Sequence, residues 1–173
     1  VIQHGIENHR DGPYAFTSPA IVNSIYGRWW HPLNEEAGGN PILGSSLPWT
    51  GDYEDGLGNK ITMHAYANPP ADRSNERNRA DGFGVARFNK ETRSVTYECW
   101  PRFSDVSEGD KTQFPGWPVT HKMSDNDGRE VVGWLPMITF SKPDQVIQVT
   151  NKKTNEVLYT IRAKGKSFQP KVY

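Results

Sequence analysis

The chain is predicted to be mainly β: a long-looped β-rich region that ends in a small β-sandwich-like module. Three observations predict it. Glycine (16) and proline (13) are scattered over all 173 residues, so no window of helical length keeps a clean 3.6-residue period without one of them. Short runs rich in β-branched and aromatic residues recur between turn signals. Two pairs of such runs are joined by short polar loops of hairpin type, Asn89–Arg93 and Asn151–Asn155.

Taken in order, Val1–Ile6 is a short apolar start. Ala20–Trp29 is the one helix candidate, with Pro19 suitably placed at its first turn. Lys60–Ala67 alternates, with Ile61, Met63 and Ala65 on one face and Thr62, His64 and Tyr66 on the other. Gly84–Phe88 and Ser94–Trp100 form the first hairpin. Trp134–Phe140 follows the Asp127-Gly128 turn, and Gln145–Thr150 with Glu156–Ala163 forms the second hairpin. Phe168–Tyr173 is placed to close the sheet. Between these lie long irregular segments, Trp30–Tyr53, Asn68–Asp81 and Pro101–Pro118. Val131–Tyr173 is shorter-looped and more regular, so the expected organisation is residues 1–134 with a terminal β module over 135–173.

Composition bounds the function. Apolar residues make up 35% and aromatics 12%, which predicts a thin core filled largely by Trp and Tyr. Basic and acidic residues balance at 20 each, so nothing steers the chain to nucleic acid or an anionic membrane. No stretch approaches the ~20 apolar residues of a membrane span. The single Cys99 lies in the apolar run Val95–Trp100 and reads as a buried, inert thiol. The chain begins at Val1 inside an apolar run, without a signal peptide, and the expectation is a removed leader or a longer parent.

Motifs for chemistry are sparse. The histidines, His4, His9, His31, His64 and His121, show no metal-ligand spacing. No nucleophile elbow or phosphate loop is present. Asp125–Gly128 and Asp52–Gly56 read as turns rather than calcium loops. Trp29, Trp30, Trp49, Trp100 and Trp117 sit beside Pro, Gly or Arg. They fit either an aromatic core beneath long loops or a stacking platform for sugar rings. Arg10, Arg28 and Arg102 near them suit stacking or bidentate anion binding, and a salt bridge such as Arg102–Asp105 is the plainer reading.

A resemblance reaches further. Gln3-His4-Gly5-Ile6, Asp11-Gly12-Pro13-Tyr14 through Asn23, and Arg28-Trp29-Trp30-His31-Pro32 are similar to the late part of alkaline-phosphatase-D-like metallophosphoesterases, in a branch found in planctomycetes and marine bacteria. Asp55–Lys60, Gly82-Phe83-Gly84, Glu98–Arg102, Phe114–Pro118 and Tyr159–Val172 continue it, in order, over nearly the whole chain. The resemblance implies an exported, periplasmic or extracellular hydrolase of phosphate esters from a larger α/β fold. It also implies a metal pair of Ca, Fe, Mn or Zn. The family's last ligand motif, Gly-Asp-x-His, stands before the segment that Val1 opens, so no catalytic residue and no metal ligand carries over. The implied cleft-lining residues are His4, Arg10, Asp11, Asn23, Arg28 and Trp29; the reading of the aromatics and their neighbouring arginines adds Trp30, Trp100, Arg102 and Trp117 as substrate contacts. The implied partner is the catalytic segment that precedes, in the same protein or another chain. Two rival expectations are a polysaccharide-binding module using Trp29, Trp30, Trp49 and Trp117, and a structural domain that shields the catalytic segment.

Overall fold

A computed structural model describes residues 1–20, 38–67 and 80–173. The helix candidate over 20–29, apart from Ala20, and the site candidates Asn23, Arg28, Trp29 and Trp30 fall on residues outside that set. The fold is mainly β, as composition and pattern predict, and its described helical turns are short 3-10 segments. No described helix is long and apolar enough to cross a membrane. The chain divides into two compact units, Val1–Gly128 and Arg129–Tyr173.

In the first unit, β1 (Ile2–His4), β2 (Tyr14–Ala15), β3 (Gly51–Glu54) and β4 (Lys60–Met63) form an antiparallel sheet in the order β2-β1-β4-β3. The central pairing sets Gln3 opposite Tyr14 on one side and Thr62 on the other. The expected apolar face of residues 60–67 is only partly right. Thr62 is the fully buried residue of β4, because its hydroxyl has a carboxylate partner in Asp52 of the next strand. Gly51–Glu54 has the composition of a turn, yet pairing with β4 holds it extended.

A second sheet holds β5 (Gly82–Asn89), β6 (Ser94–Pro101) and β7 (Val119–Lys122) in that order. The expected hairpin forms, with Asn89 opposite Ser94. The Asn89 carboxamide oxygen accepts from the amides of Glu91 and Thr92, and Arg93 takes the left-handed conformation that closes the turn. Leu47, Trp49, Ala65, Tyr66, Cys99, Phe114 and Trp117 pack into one core, with Phe16, Met63 and Tyr97 against it. Cys99 is buried there, and burial pushes its thiol up to about 12, which keeps it protonated and inert.

The second unit is a ribbon of nested antiparallel pairs. At its closed end β10 (Val146–Thr150) pairs with β11 (Val157–Arg162), and Asn155 turns the chain in the left-handed region. The one strand expected over 134–140 is instead two, β8 (Gly133–Trp134) and β9 (Ile138–Thr139), interrupted at Pro136. The closing segment is likewise β12 (Ser167–Phe168) and β13 (Lys171–Val172), interrupted at Pro170. Proline has no N–H to give the ladder, so each run breaks where it stands. Pairs β9–β12 and β8–β13 continue the ribbon outward. The Tyr159 hydroxyl donates to the Lys171 carbonyl (3.0 Å) and accepts from the Lys171 amide (2.9 Å), fastening β11 to β13.

Candidate functional site

Two of the described site candidates, Arg10 and Asp11, lie beside one buried amide. Gln3 is 1% exposed at the centre of β1. Its Nε2 lies 3.1 Å from the Arg10 carbonyl, 3.0 Å from that of Gly12 and 2.9 Å from that of Asp125. Its Oε1 accepts from His64 Nε2 at 3.2 Å. Since that oxygen can only accept, the proton of His64 sits on Nε2. Gln3 thus ties the turn after β1 to the 123–126 turn and to the chain just past β4.

Asp11 shapes that turn. Its Oδ1 accepts from the Ile6 amide (2.6 Å), and its Oδ2 from Glu7 (3.0 Å) and Asn8 (2.7 Å). Burial alone would raise this carboxyl, but the backbone N–H groups outweigh it and hold it below the usual carboxylate range. Gly12 is required beside it: a Cβ there would lie 2.3 Å from the His4 carbonyl oxygen. Asp11→Asn keeps one acceptor oxygen and loses the charge, so it is expected to cost about 1.5 kcal/mol in urea unfolding of the chain. A loss below about 0.5 kcal/mol would show that the turn does not need the carboxylate.

Arg10 is thereby held with a φ of 65°, an uncommon conformation for a side-chain-bearing residue. Its Nε donates to Asp52 Oδ1 at 2.9 Å, and its Nη2 donates to the Asn40 carbonyl. Asp52 also accepts from Thr62 Oγ1 (2.6 Å) and Asn40 Nδ2 (3.1 Å). Burial pushes Asp52 up, and these three hydrogen bonds together bring it below its ordinary value, so it is ionised at neutral pH. His9 Nε2 donates to the Tyr53 carbonyl at 2.9 Å. Asn8, His9, Arg10, Asn40 and Asp52 line a shallow polar depression of about 370 Å3.

Behind Gln3 lies an aromatic cluster. Tyr14 stacks on His121 at 3.8 Å between centroids, and His64 meets His121 edge-on at 4.9 Å. Burial lowers both histidines to about 4; for His64 the nearby His121 and Arg10 add to it, and for His121 Asp125 opposes it. His121 Nε2 is buried without a hydrogen-bond partner.

The remaining candidates lie elsewhere. His4 is exposed at the end of β1, beside the Asp11 turn. Trp100 is 4% exposed, its Nε1 donates to Glu98 at 3.1 Å, and its ring stacks on Phe83. Trp117 is in the core, with Nε1 donating to the Tyr66 carbonyl at 3.0 Å, and Trp49 is buried near it. Arg102 pairs with Asp81 at 3.5 Å, not with Asp105, whose carboxylate instead caps the 3-10 turn at Val106–Glu108. So the structure unites Arg10 and Asp11, places His4 next to them, and sets Trp100 in β6 with Arg102 in the turn that follows it. Gln3, Asn40, Asp52 and Thr62 complete the site without having been singled out. Gln3 stands in the first run that carries the resemblance and Asp52 in a run that reads as a turn, but neither signal marks a site residue.

Among the described residues no group of three or more His, Cys, Asp or Glu side chains is arranged to hold a metal ion. Comparison with protein-family models, with curated proteins and with solved structures finds no match to this chain.

Proposed function

We propose that this chain is the carboxy-terminal part of an exported, metal-dependent phosphoric-ester hydrolase, in which it completes the wall of the substrate cleft. The supporting observation is how the words that carry the resemblance meet. Gln3 and Gly12 are bound to each other, Asp11 closes the turn between them, and a Cβ on Gly82 would lie 2.0 Å from the Trp100 carbonyl oxygen. The Phe114 amide donates to the Cys99 carbonyl at 2.9 Å. Words far apart in sequence are therefore the frame of the first unit, as expected if they belong to one inherited fold. The described residues supply no ligand set for a metal pair, and the reading assigns those ligands to a preceding segment.

Turnover of bis(4-nitrophenyl) phosphate tests this. With added calcium, iron or manganese, the chain by itself is expected to give no rate above the metal blank. Joined to a preceding segment that bears the Gly-Asp-x-His motif, it is expected to turn the diester over. Activity of the chain by itself would refute the incomplete-site reading. Inactivity of the longer polypeptide with all three metals would refute the hydrolase reading. Stacking of sugars finds no support on Trp49, Trp100 or Trp117, whose rings are taken up by the core and by Phe83.

A further inference from the structure

A guanidinium has five N–H donors, and Arg10 spends two of them. Its Nε and Nη2 form one edge of the planar group, and that edge is occupied by Asp52 Oδ1 and the Asn40 carbonyl. These contacts fix the plane of the group. Nη1 carries no hydrogen bond to any described residue, so the Nη1/Nη2 end keeps a pair of N–H groups with fork geometry. Asp52 is itself fixed by Thr62 and Asn40, and its side chain is 7% exposed against 37% for Arg10. The buried carboxylate thus anchors an arginine whose free end lies at the surface, in the depression described above.

Two further observations point the same way. Arg10 occupies the left-handed region, where side-chain-bearing residues persist only when their surroundings hold them, and such positions concentrate at binding sites. Its surroundings do hold it: Gln3 Nε2 reaches its carbonyl, and Asp11 fixes the next residue through three amides. The neighbouring Asn8 side chain has no hydrogen-bond partner among the described residues and lines the same depression, so it offers a further donor.

We infer that this depression is a recognition site for an oxyanion, a phosphoryl or carboxylate group, gripped end-on by Arg10 with Asp52 and Asn40 holding the guanidinium plane. Two parallel N–H donors at fixed spacing match two oxygens of either group, and a lysine ammonium does not reproduce that match. The site needs no metal and no turnover, so it stands or falls separately from the hydrolase reading.

The test is titration of the isotope-labelled chain with sodium phosphate, and separately with sodium acetate, at constant ionic strength. Phosphate is expected to move the Arg10 side-chain nitrogen resonances and the amides of residues 8–10 and 40 saturably, with a Kd of about 1–10 mM. Arg10→Lys keeps the charge and is expected to bind at least about tenfold more weakly at an unchanged melting temperature. Arg87→Lys, on β5 of the second sheet, is expected to bind like the unsubstituted chain. A response to phosphate alone assigns a phosphoryl ligand, a response to acetate alone assigns a carboxylate, and equal responses assign a site that accepts either oxyanion. The inference is overturned if neither anion moves Arg10 in the unsubstituted chain, or if Arg10→Lys binds as tightly as arginine. Equal weakening by Arg87→Lys would overturn it as well, because the effect would then not be particular to Arg10.

Discussion

Trp117→Ala is expected to lower the unfolding free energy of the chain by about 4 kcal/mol. The ring is 9% exposed and belongs to the same core as Leu47, Phe114 and Tyr66. Phe16 lies 5.9 Å from it, centroid to centroid. Removing it opens a cavity the size of an indole at the junction of these side chains, and a thin core has little else with which to fill the space. It also strips the Tyr66 carbonyl of its 3.0 Å donor. Trp117→Phe retains most of the packing and loses only the hydrogen bond and part of the ring, so about half that cost is expected. Urea denaturation of the three proteins decides the matter: a loss below about 1.5 kcal/mol for the alanine variant would mean that this ring does not carry the core.

The second large effect is a loss of stability in acid. His64 and His121 face each other within the first unit and are neutral there, both lowered to about 4. Tyr14, Tyr97, Gln3 and Arg10 surround them, and Asp125 is the one acidic group that opposes the shift at His121. In the unfolded chain each imidazole returns to about 6.5. The unfolded state therefore binds more protons between the two values, and stability falls as pH drops. Stability from this pair is complete above about pH 6.5 and is expected to decline by on the order of 3 kcal/mol by pH 4, about half of what two fully buried rings would give, because both are partly exposed to solvent. His121→Phe removes one titrating ring and the orphaned Nε2 together, while keeping a flat partner for Tyr14. It is expected to be at least as stable as the parent at pH 7 and to lose clearly less between pH 6.5 and 4. An equally steep acid limb in this variant would place the proton uptake elsewhere.

The regular parts of this fold were legible because their signals are local. The hairpin of β5 and β6 and that of β10 and β11 have their strands and their turn within one stretch of sequence, and both form. What was not legible depends on distant partners. Gly51–Glu54 looks like a turn until β4 lies beside it, and Thr62 looks solvent-facing until Asp52 meets its hydroxyl. The prolines at 136 and 170 were visible, yet two of the expected strands were drawn through them. At the site, Arg10 and Asp11 were reached through resemblance. Asp52 stands 42 positions away from Arg10, and no spacing rule joins them. The tryptophans show the converse: a Trp beside Pro or Gly reads the same whether it faces solvent or core, and only burial separates the two.

The nested ribbon of the second unit also bears on how it is made. Each pair of strands closes directly outside the pair before it, starting from the turn at 151–155. Every new contact then adds a short loop to a ladder already in place, so the cost in chain entropy is small at each step. Such a segment closes as a zipper does, on the microsecond scale of hairpins. The first sheet of the other unit begins differently: Ile2 must find Met63 across the whole intervening chain. By that measure the search that brings β1 onto β4 is the costlier closure, and the Arg10–Asp52 contact, 42 positions apart, shares that cost.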